Sequence, residues 1–366
     1  MMFITAIMLV TIVPDLVIWH RYGDSWPMAW KLPYGLTTIW GAMLVWVMQA
    51  WPFGHVRSIR LFFTSMLLLC VPKLFFMVLD PLVGWPAALA VALSLVAAFA
   101  YGFVFGWRRL SIVEEVFCFD NLPEEFDGYR ILHLSDLHLG SMAGHEKFLE
   151  SLVDAANAQK ADLIVFTGDL VNHLASEAKP FIPALRRLKS PDGVYSVLGN
   201  HDLIDMDHTS DLVAMEREAG WMPLRNSHIT LRRGGAEIAI AGVDNKGAPP
   251  FEGFGDLETA LRGIPPSTFT VLLTHDPTHW RLEVTGCRQV CLSLSGHTHG
   301  GQLRIGKLSV ARMLYREWAG TYRTGSSILH VSQGISGSVP FRLGAWPEMS
   351  VITLRRGHPS QEAPSE

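Results

Sequence analysis

Charge is spread so unevenly along this chain that one solvent cannot serve all of it. Residues 1–107 hold only eight formal charges (Asp15, Arg21, Asp24, Lys31, Arg57, Arg60, Lys73 and Asp80), whereas 56 of the 64 charged side chains follow Trp107. Eight of the twelve tryptophans also fall in the first 107 positions. An apolar, Trp-rich segment ahead of an ordinarily polar one implies lipid for the first part and water for the second. A helix needs about 20 apolar residues to cross about 30 Å of hydrocarbon. Four stretches answer that description: Phe3–Trp19, Leu36–Trp51, Leu61–Leu79 and Leu82–Trp107.

The first stretch lacks the basic start and small-residue cleavage site of a signal peptide. Trp19, Trp26, Trp30, Trp51, Trp85 and Trp107 stand near span ends, where indole rings anchor at the interface. Pro72 and Lys73 suggest that the third span is kinked, its lysine snorkelling or facing neighbouring helices. Asp80-Pro81 reads as the turn into the fourth. Arg57, Arg60, Arg108 and Arg109, set against Arg21 and Lys31, place both termini in the cytoplasm by the positive-inside rule. The expectation is a multi-pass protein of an inner or plasma membrane with a cytoplasmic soluble domain.

No long basic run accompanies the net charge of −4, so nucleic acid is not expected as a partner. Cys70, Cys118, Cys287 and Cys291 show no zinc-ribbon spacing and read as free thiols.

From Leu110 onward, short apolar runs alternate with polar turns. Tyr129–Leu134, Asp162–Thr167, Gly193–Leu198, Glu237–Ala241, Phe269–Thr274 and Val290–Ser295 read as buried strands, with Ser327–Ser332 and Met349–Leu354 as closing strands. His145–Gln159 puts Phe148, Leu149, Leu152, Val153 and Ala156 on one helical face. Pro180–Leu188 and Asp211–Ala219 are shorter helical segments. This succession implies an α/β domain over 110–355, behind a transmembrane region at 1–109 and ahead of a disordered tail at 356–366.

Metal-ligand residue types recur where the strands end. Asp136 and His138 follow the first run at i and i+2, a spacing that in extended backbone points both side chains the same way. Asp169 follows the second within Gly168-Asp169. Asn200-His201-Asp202 follows Val194–Leu198 and Gly199. His275 follows Val271–Thr274, and Gly296-His297-Thr298-His299-Gly300-Gly301 closes the series. A lone Asp or His at a strand exit is ordinary turn chemistry, but five such blocks in order are not.

This series resembles the calcineurin-like metallophosphoesterase superfamily, and its Gly296–Gln302 and Pro347-Glu348 segments resemble the bacterial membrane-associated subgroup. The resemblance covers about Leu122 to Arg355. It implies two packed mixed β-sheets flanked by helices, and two divalent cations (Mn, Fe or Zn). Asp136, His138, Asp169 and His299 would hold one, and Asp169, Asn200, His275 and His297 the other. By the same resemblance His201 protonates the leaving oxygen, with Asp202 orienting it.

Other residues carry open alternatives. His133 reads as a core side chain, and His279 as a surface residue of a short helix or a residue lining the pocket. His145, His173 and His208 face either substrate or solvent. Arg304, Arg323 and Arg342 are candidate phosphate clamps or solvated surface. Leu122-Pro123, Phe251, Phe254 and Phe341 are either an apolar path to the site or core. The leading function is hydrolysis of a phosphodiester or pyrophosphate bond, with a lipid-linked phosphate as the substrate that four spans would favour. The alternatives are a phosphomonoesterase acting on a soluble substrate and a non-catalytic metal-binding sensor module.

Overall fold

The computed structural model describes residues 10–28, 31, 34–40, 43, 56–247, 253–287 and 289–357. The chain forms two compact units: Met1–Gly106 with Ser338–Leu343, and Trp107–Gly337 with Gly344–Glu366.

In the first unit, helix Val13–Tyr22 precedes a long helix that begins at Val56, passes through a π-turn at Met66–Cys70 and continues as Val71–Val83. The wider turn sits just ahead of Pro72, whose ring cannot follow a regular helical ladder. Asp80-Pro81 lies inside this helix rather than in a turn. The chain breaks instead at Gly84, where φ is 82°, a conformation that costs a residue without Cβ little. Helix Trp85–Val104 follows. Ile59–Val83 (25 residues) and Trp85–Arg108 (24 residues) are long and apolar enough to cross a membrane. Of the other two expected spans, the first is described only from residue 10, and most of Leu36–Trp51 lies outside the described residues.

Lys73 does not snorkel. Its Nζ donates to Asp15 Oδ1 and Thr37 Oγ1, both at 2.7 Å, and sits 4.9 Å from the Tyr34 ring centroid. Asp80 is likewise paired, accepting from Tyr22 Oη at 2.5 Å and Arg21 at 3.0 Å. Such pairing is what an apolar medium requires of ionised groups. Phe341, weighed as part of a path to the site, instead packs on Phe99 and Phe103 at 6.2 and 4.8 Å. A Cβ at Gly102 would lie 2.5 Å from that ring.

Among its described residues the second unit holds fourteen strands. β1 (Ser111–Phe119), β2 (Arg130–Leu134), β3 (Leu163–Phe166), β4 (Val194–Ser196), β5 (Met222–Pro223) and β14 (Glu348–Arg356) form one sheet in the order β1-β14-β2-β3-β4-β5. β6 (Ser227–Arg233), β7 (Ala236–Gly242), β8 (Phe269–Leu273), β9 (Val290–Ser295), β12 (Gly320–Thr324) and β13 (Ser327–Val331) form the other, ordered β12-β13-β9-β8-β7-β6. β10 (Arg304–Ile305) and β11 (Leu308–Ser309) make a separate hairpin. Both sheets are mixed. β2, β3, β4 and β5 run parallel, as do β7, β8, β9 and β13.

Central strands such as β3, Leu-Ile-Val-Phe, are buried throughout, as parallel strands covered on both faces must be. Between the sheets lie Phe117, Ile131, Val165, Ile240, Val271 and Leu294. Full burial of each such side chain is worth about 1.5–3 kcal/mol. Leu122 is part of this core and so does not line a path. Helix Glu146–Ala158 buries Leu149, Leu152, Val153 and Ala156 on the far face of the first sheet. The short helix Leu257–Leu261, capped by Asp256 accepting from the Thr259 N–H at 2.9 Å, covers the second. Pro180–Leu188, read as a helix, is a 3-10 stretch ending at Phe181 and one α-turn, Ile182–Leu185.

Candidate metal centre

β2, β3, β4, β8 and β9 all deliver their C-terminal ends to one edge of the sandwich, and the residues of interest follow those ends directly. Asp136 and His138 do not stand in extended backbone as their spacing suggested. Their φ values are 55° and 45°, and Asp169, His297 and His299 also lie in the left-handed region at 59°, 74° and 53°. Among the described non-glycine residues eight have positive φ, and five of the eight are candidate ligands. Each such conformation costs about 1–3 kcal/mol and persists only where the surroundings impose it. Here the Asp136 N–H donates to Gly168 O, and the His138 N–H to Asp169 O, both at 3.0 Å. The glycines permit this closeness: a Cβ at Gly199 would lie 2.2 Å from Asp169 Oδ1.

Side-chain donor atoms of Asp136, His138, Asp169 and His299 lie within 4.8 Å of one another, and so do those of Asp169, His275 and His297. Asp169 is common to both groups. His138 Nε2 and Asp169 Oδ2 are buried, 3.4 Å apart, and make no hydrogen bond. His275 Nδ1–H donates to Thr167 O at 2.7 Å. Its Nε2 then faces Asp169 Oδ2 (3.2 Å), Asn200 Oδ1 (3.1 Å) and His297 Nδ1 (3.2 Å). His297 points Nδ1 inward because its Nε2 bonds the Tyr315 hydroxyl at 2.9 Å. Four acceptor atoms thus converge with little to share among them but a proton or a cation. Burial opposes a proton on His275, yet Asp169 and Asp136 outweigh it and lift its pKa to about 10. Burial likewise opposes charge on Asp169, but His275, His201 and His138 hold its carboxyl well below the ordinary range. The residues fit divalent cations, and the oxygen and imidazole donors suit Mn, Fe or Zn.

His201 stands beside this cluster, its ring centroid 4.8 Å from that of His138. Its Nδ1–H donates to Asn172 O at 2.6 Å. Asp202, expected to orient His201, bonds backbone N–H groups instead. Asp202 is buried and accepts the N–H groups of Asp169 (2.7 Å), Leu170 (2.8 Å), Val171 (3.1 Å) and Gly199 (2.9 Å). It ties the loop after β3 to the loop after β4. Burial and the Asp169 charge push its pKa up to about 7, against the pull of those N–H groups.

No motif pointed to Tyr315, which ends the short helix Ala311–Leu314, or to the Asn172 and Thr167 carbonyls, since any residue has one. His279 is buried rather than exposed, between Thr274 and Glu283. His133 is a core side chain bonded to Thr167 Oγ1 at 2.8 Å, as expected. Arg304 and Arg323 lie over the rings of Trp318 and Phe117, and Arg342 is buried in the helical unit.

A two-sheet α/β sandwich with a buried Asp/His cluster at its strand exits defines a metal-binding phosphoesterase class. Residues 129–301 match the family described as calcineurin-like phosphoesterase. The metallophosphoesterase YkuE of Bacillus subtilis (strain 168) is 34% identical over 245 residues, 64% of this chain and 82% of that protein. A Bos taurus transmembrane protein with metallophosphoesterase domain is 34% identical over 246 residues, 64% of this chain and 54% of that one. Its Danio rerio namesake is 30% identical over 275 residues, 73% of this chain and 62% of that one. The chain belongs to the calcineurin-like metallophosphoesterases.

Proposed function

We propose that this protein is a membrane-anchored, dinuclear-metal phosphoesterase that cleaves a phosphodiester or pyrophosphate bond, with a lipid-linked phosphate as substrate. Asp136, His138, Asp169 and His299 hold one cation, and Asp169, Asn200, His275 and His297 the other. The observation that carries this reading is Asp169, shared by both donor groups, whose buried Oδ2 lies 3.4 Å from His138 Nε2 and 3.2 Å from His275 Nε2 without a hydrogen bond of its own. When bound, two cations supply Lewis acidity to the attacking and leaving oxygens of an in-line displacement at phosphorus. The Asn172 carbonyl keeps the Nδ1 proton of His201 and leaves Nε2 to carry a proton to the leaving oxygen. Tyr315 and the Thr167 carbonyl fix the rings of His297 and His275, as outer partners of metal-binding imidazoles do.

Membrane anchoring is supported by the two helices long enough to span and by the vertebrate relatives' names. A lipid-linked substrate is supported by a cavity of about 690 Å³ in the helical unit, lined by Ile18, Trp26, Leu69, Phe76 and Leu93 among others. The test is hydrolysis of bis(p-nitrophenyl) phosphate and p-nitrophenyl phosphate by detergent-purified, Mn²⁺-loaded protein, beside Asp169→Asn. Diester turnover that disappears with the variant supports the reading. Turnover of the monoester alone would redirect it to a phosphatase, and bound metal without turnover would favour a sensor.

A further inference from the structure

We propose that the hairpin and short helix at residues 304–316 form a docking surface for an anionic lipid bilayer at the rim of the metal centre. Ile305, Leu308, Val310, Met313 and Leu314 are 71%, 71%, 54%, 84% and 75% exposed. Twelve large apolar side chains are exposed among the described residues after Trp107, and these five fall within ten consecutive positions. Scattered apolar side chains on a surface need no explanation, but a cluster marks an interaction site.

Charge selects the occupant. Lys307, Arg312 and Arg316 are exposed in the same segment, and no acidic residue occurs between Arg304 and Arg316. Apolar side chains interleaved with cations match the acyl boundary and phosphate layer of an anionic leaflet. A chain that carries two helices able to span a membrane keeps such a segment close to a bilayer.

The segment is also fastened to the site. Ser309 Oγ donates to Gly300 O at 2.7 Å, and the Tyr315 hydroxyl bonds His297 Nε2. Docking would therefore set the metal centre at the level of lipid phosphates. The inference does not rest on catalysis and is tested without it.

The full chain is reconstituted in nanodiscs with the fluorescent amino acid Anap in place of Met313, and in a second protein in place of the exposed Glu218. The expected result at 313 is blue-shifted emission that doxyl-labelled lipid quenches in discs containing phosphatidylglycerol. Quenching weakens in pure phosphatidylcholine and in Lys307→Gln/Arg312→Gln/Arg316→Gln, association falling about fivefold for each cation removed. Residue 218 stays water-like throughout. Water-like emission at 313 would overturn the proposal. A blue shift that doxyl lipid does not quench would overturn it too, since protein rather than lipid would then cover the segment. Equal quenching in neutral discs would overturn the anionic assignment.

Discussion

Asp202→Asn keeps the shape of the side chain while removing its charge and one acceptor oxygen. In the native protein Oδ2 accepts the N–H groups of Asp169 and Gly199, and Oδ1 those of Leu170 and Val171. An amide can keep one of these pairs, and its NH₂ then faces the other two donors. Each buried N–H left without an acceptor costs about 1–3 kcal/mol, so the pair costs about 2–6 kcal/mol. Losing the charge relieves part of the carboxylate's burial penalty, which favours the lower end, about 2–3 kcal/mol. For a domain of this size that lowers the melting temperature by about 4–12 °C. Because the loosened loops carry Asp169 and Asn200, metal affinity should also fall, by about 10–100-fold. The comparison belongs at pH 8, where a carboxyl with a pKa of about 7 is mostly ionised. It uses full-length protein in detergent, with scanning fluorimetry and a competitive Mn²⁺ titration. Unchanged melting and metal affinity with turnover alone reduced would refute this reasoning and return Asp202 to proton transfer through His201.

Four further outcomes are expected. His201→Ala should lose about 10²–10⁴-fold in turnover, as loss of a general acid does, while elemental analysis still finds both metals. Tyr315→Phe should weaken metal binding by about 10–100-fold, the usual effect of removing an outer partner of a ligating imidazole; unchanged affinity would deny the hydroxyl that role. Glu216 is buried and accepts from the Ser196 hydroxyl, and burial, then Asp202, push its pKa well above the ordinary range. A raised folded pKa gives stability that is complete below the unfolded value of about 4.3 and is lost as pH rises toward the folded one. Glu216→Gln should therefore melt higher than the native protein at pH 8 and lose that advantage near pH 4; parallel pH curves would contradict this. Lys73→Met should destabilise the nanodisc-embedded protein by about 3–5 kcal/mol by stranding Asp15, and Asp15→Leu should restore much of it. A single variant as stable as the pair would show that Lys73 and Asp15 are not coupled.

The buried strands were legible because β2, β3, β8 and β9 are continuous apolar runs, and the ligand types were legible because each block follows one of them. β5, β6 and β12 escaped notice. β5 is two residues long, while β6 and β12 are edge strands whose half-exposed side chains leave no apolar run. Backbone conformation was misread at Asp136 and His138, because i, i+2 spacing cannot distinguish extended from left-handed residues when both bring the side chains together. His279 was misread because a short helix carries no periodicity long enough to reveal its buried face. Asp80-Pro81 looked like a turn because the pair is common in turns; the helix continues through it.

The position of β14 has a consequence for synthesis. β1 pairs only with β14 in its sheet, and β14 separates it from β2. Between Phe119 and Glu348 lie 228 residues, which a ribosome takes about 10–50 s to add at about 5–20 residues per second. Throughout that interval the partner that β1 takes in the folded sheet does not yet exist. Until β14 is made, the edges of β1 and β2 that it covers are open to wrong strand partners. A chain terminated before β14 should lack the strand that joins β1 to β2 and fold less stably than the full chain.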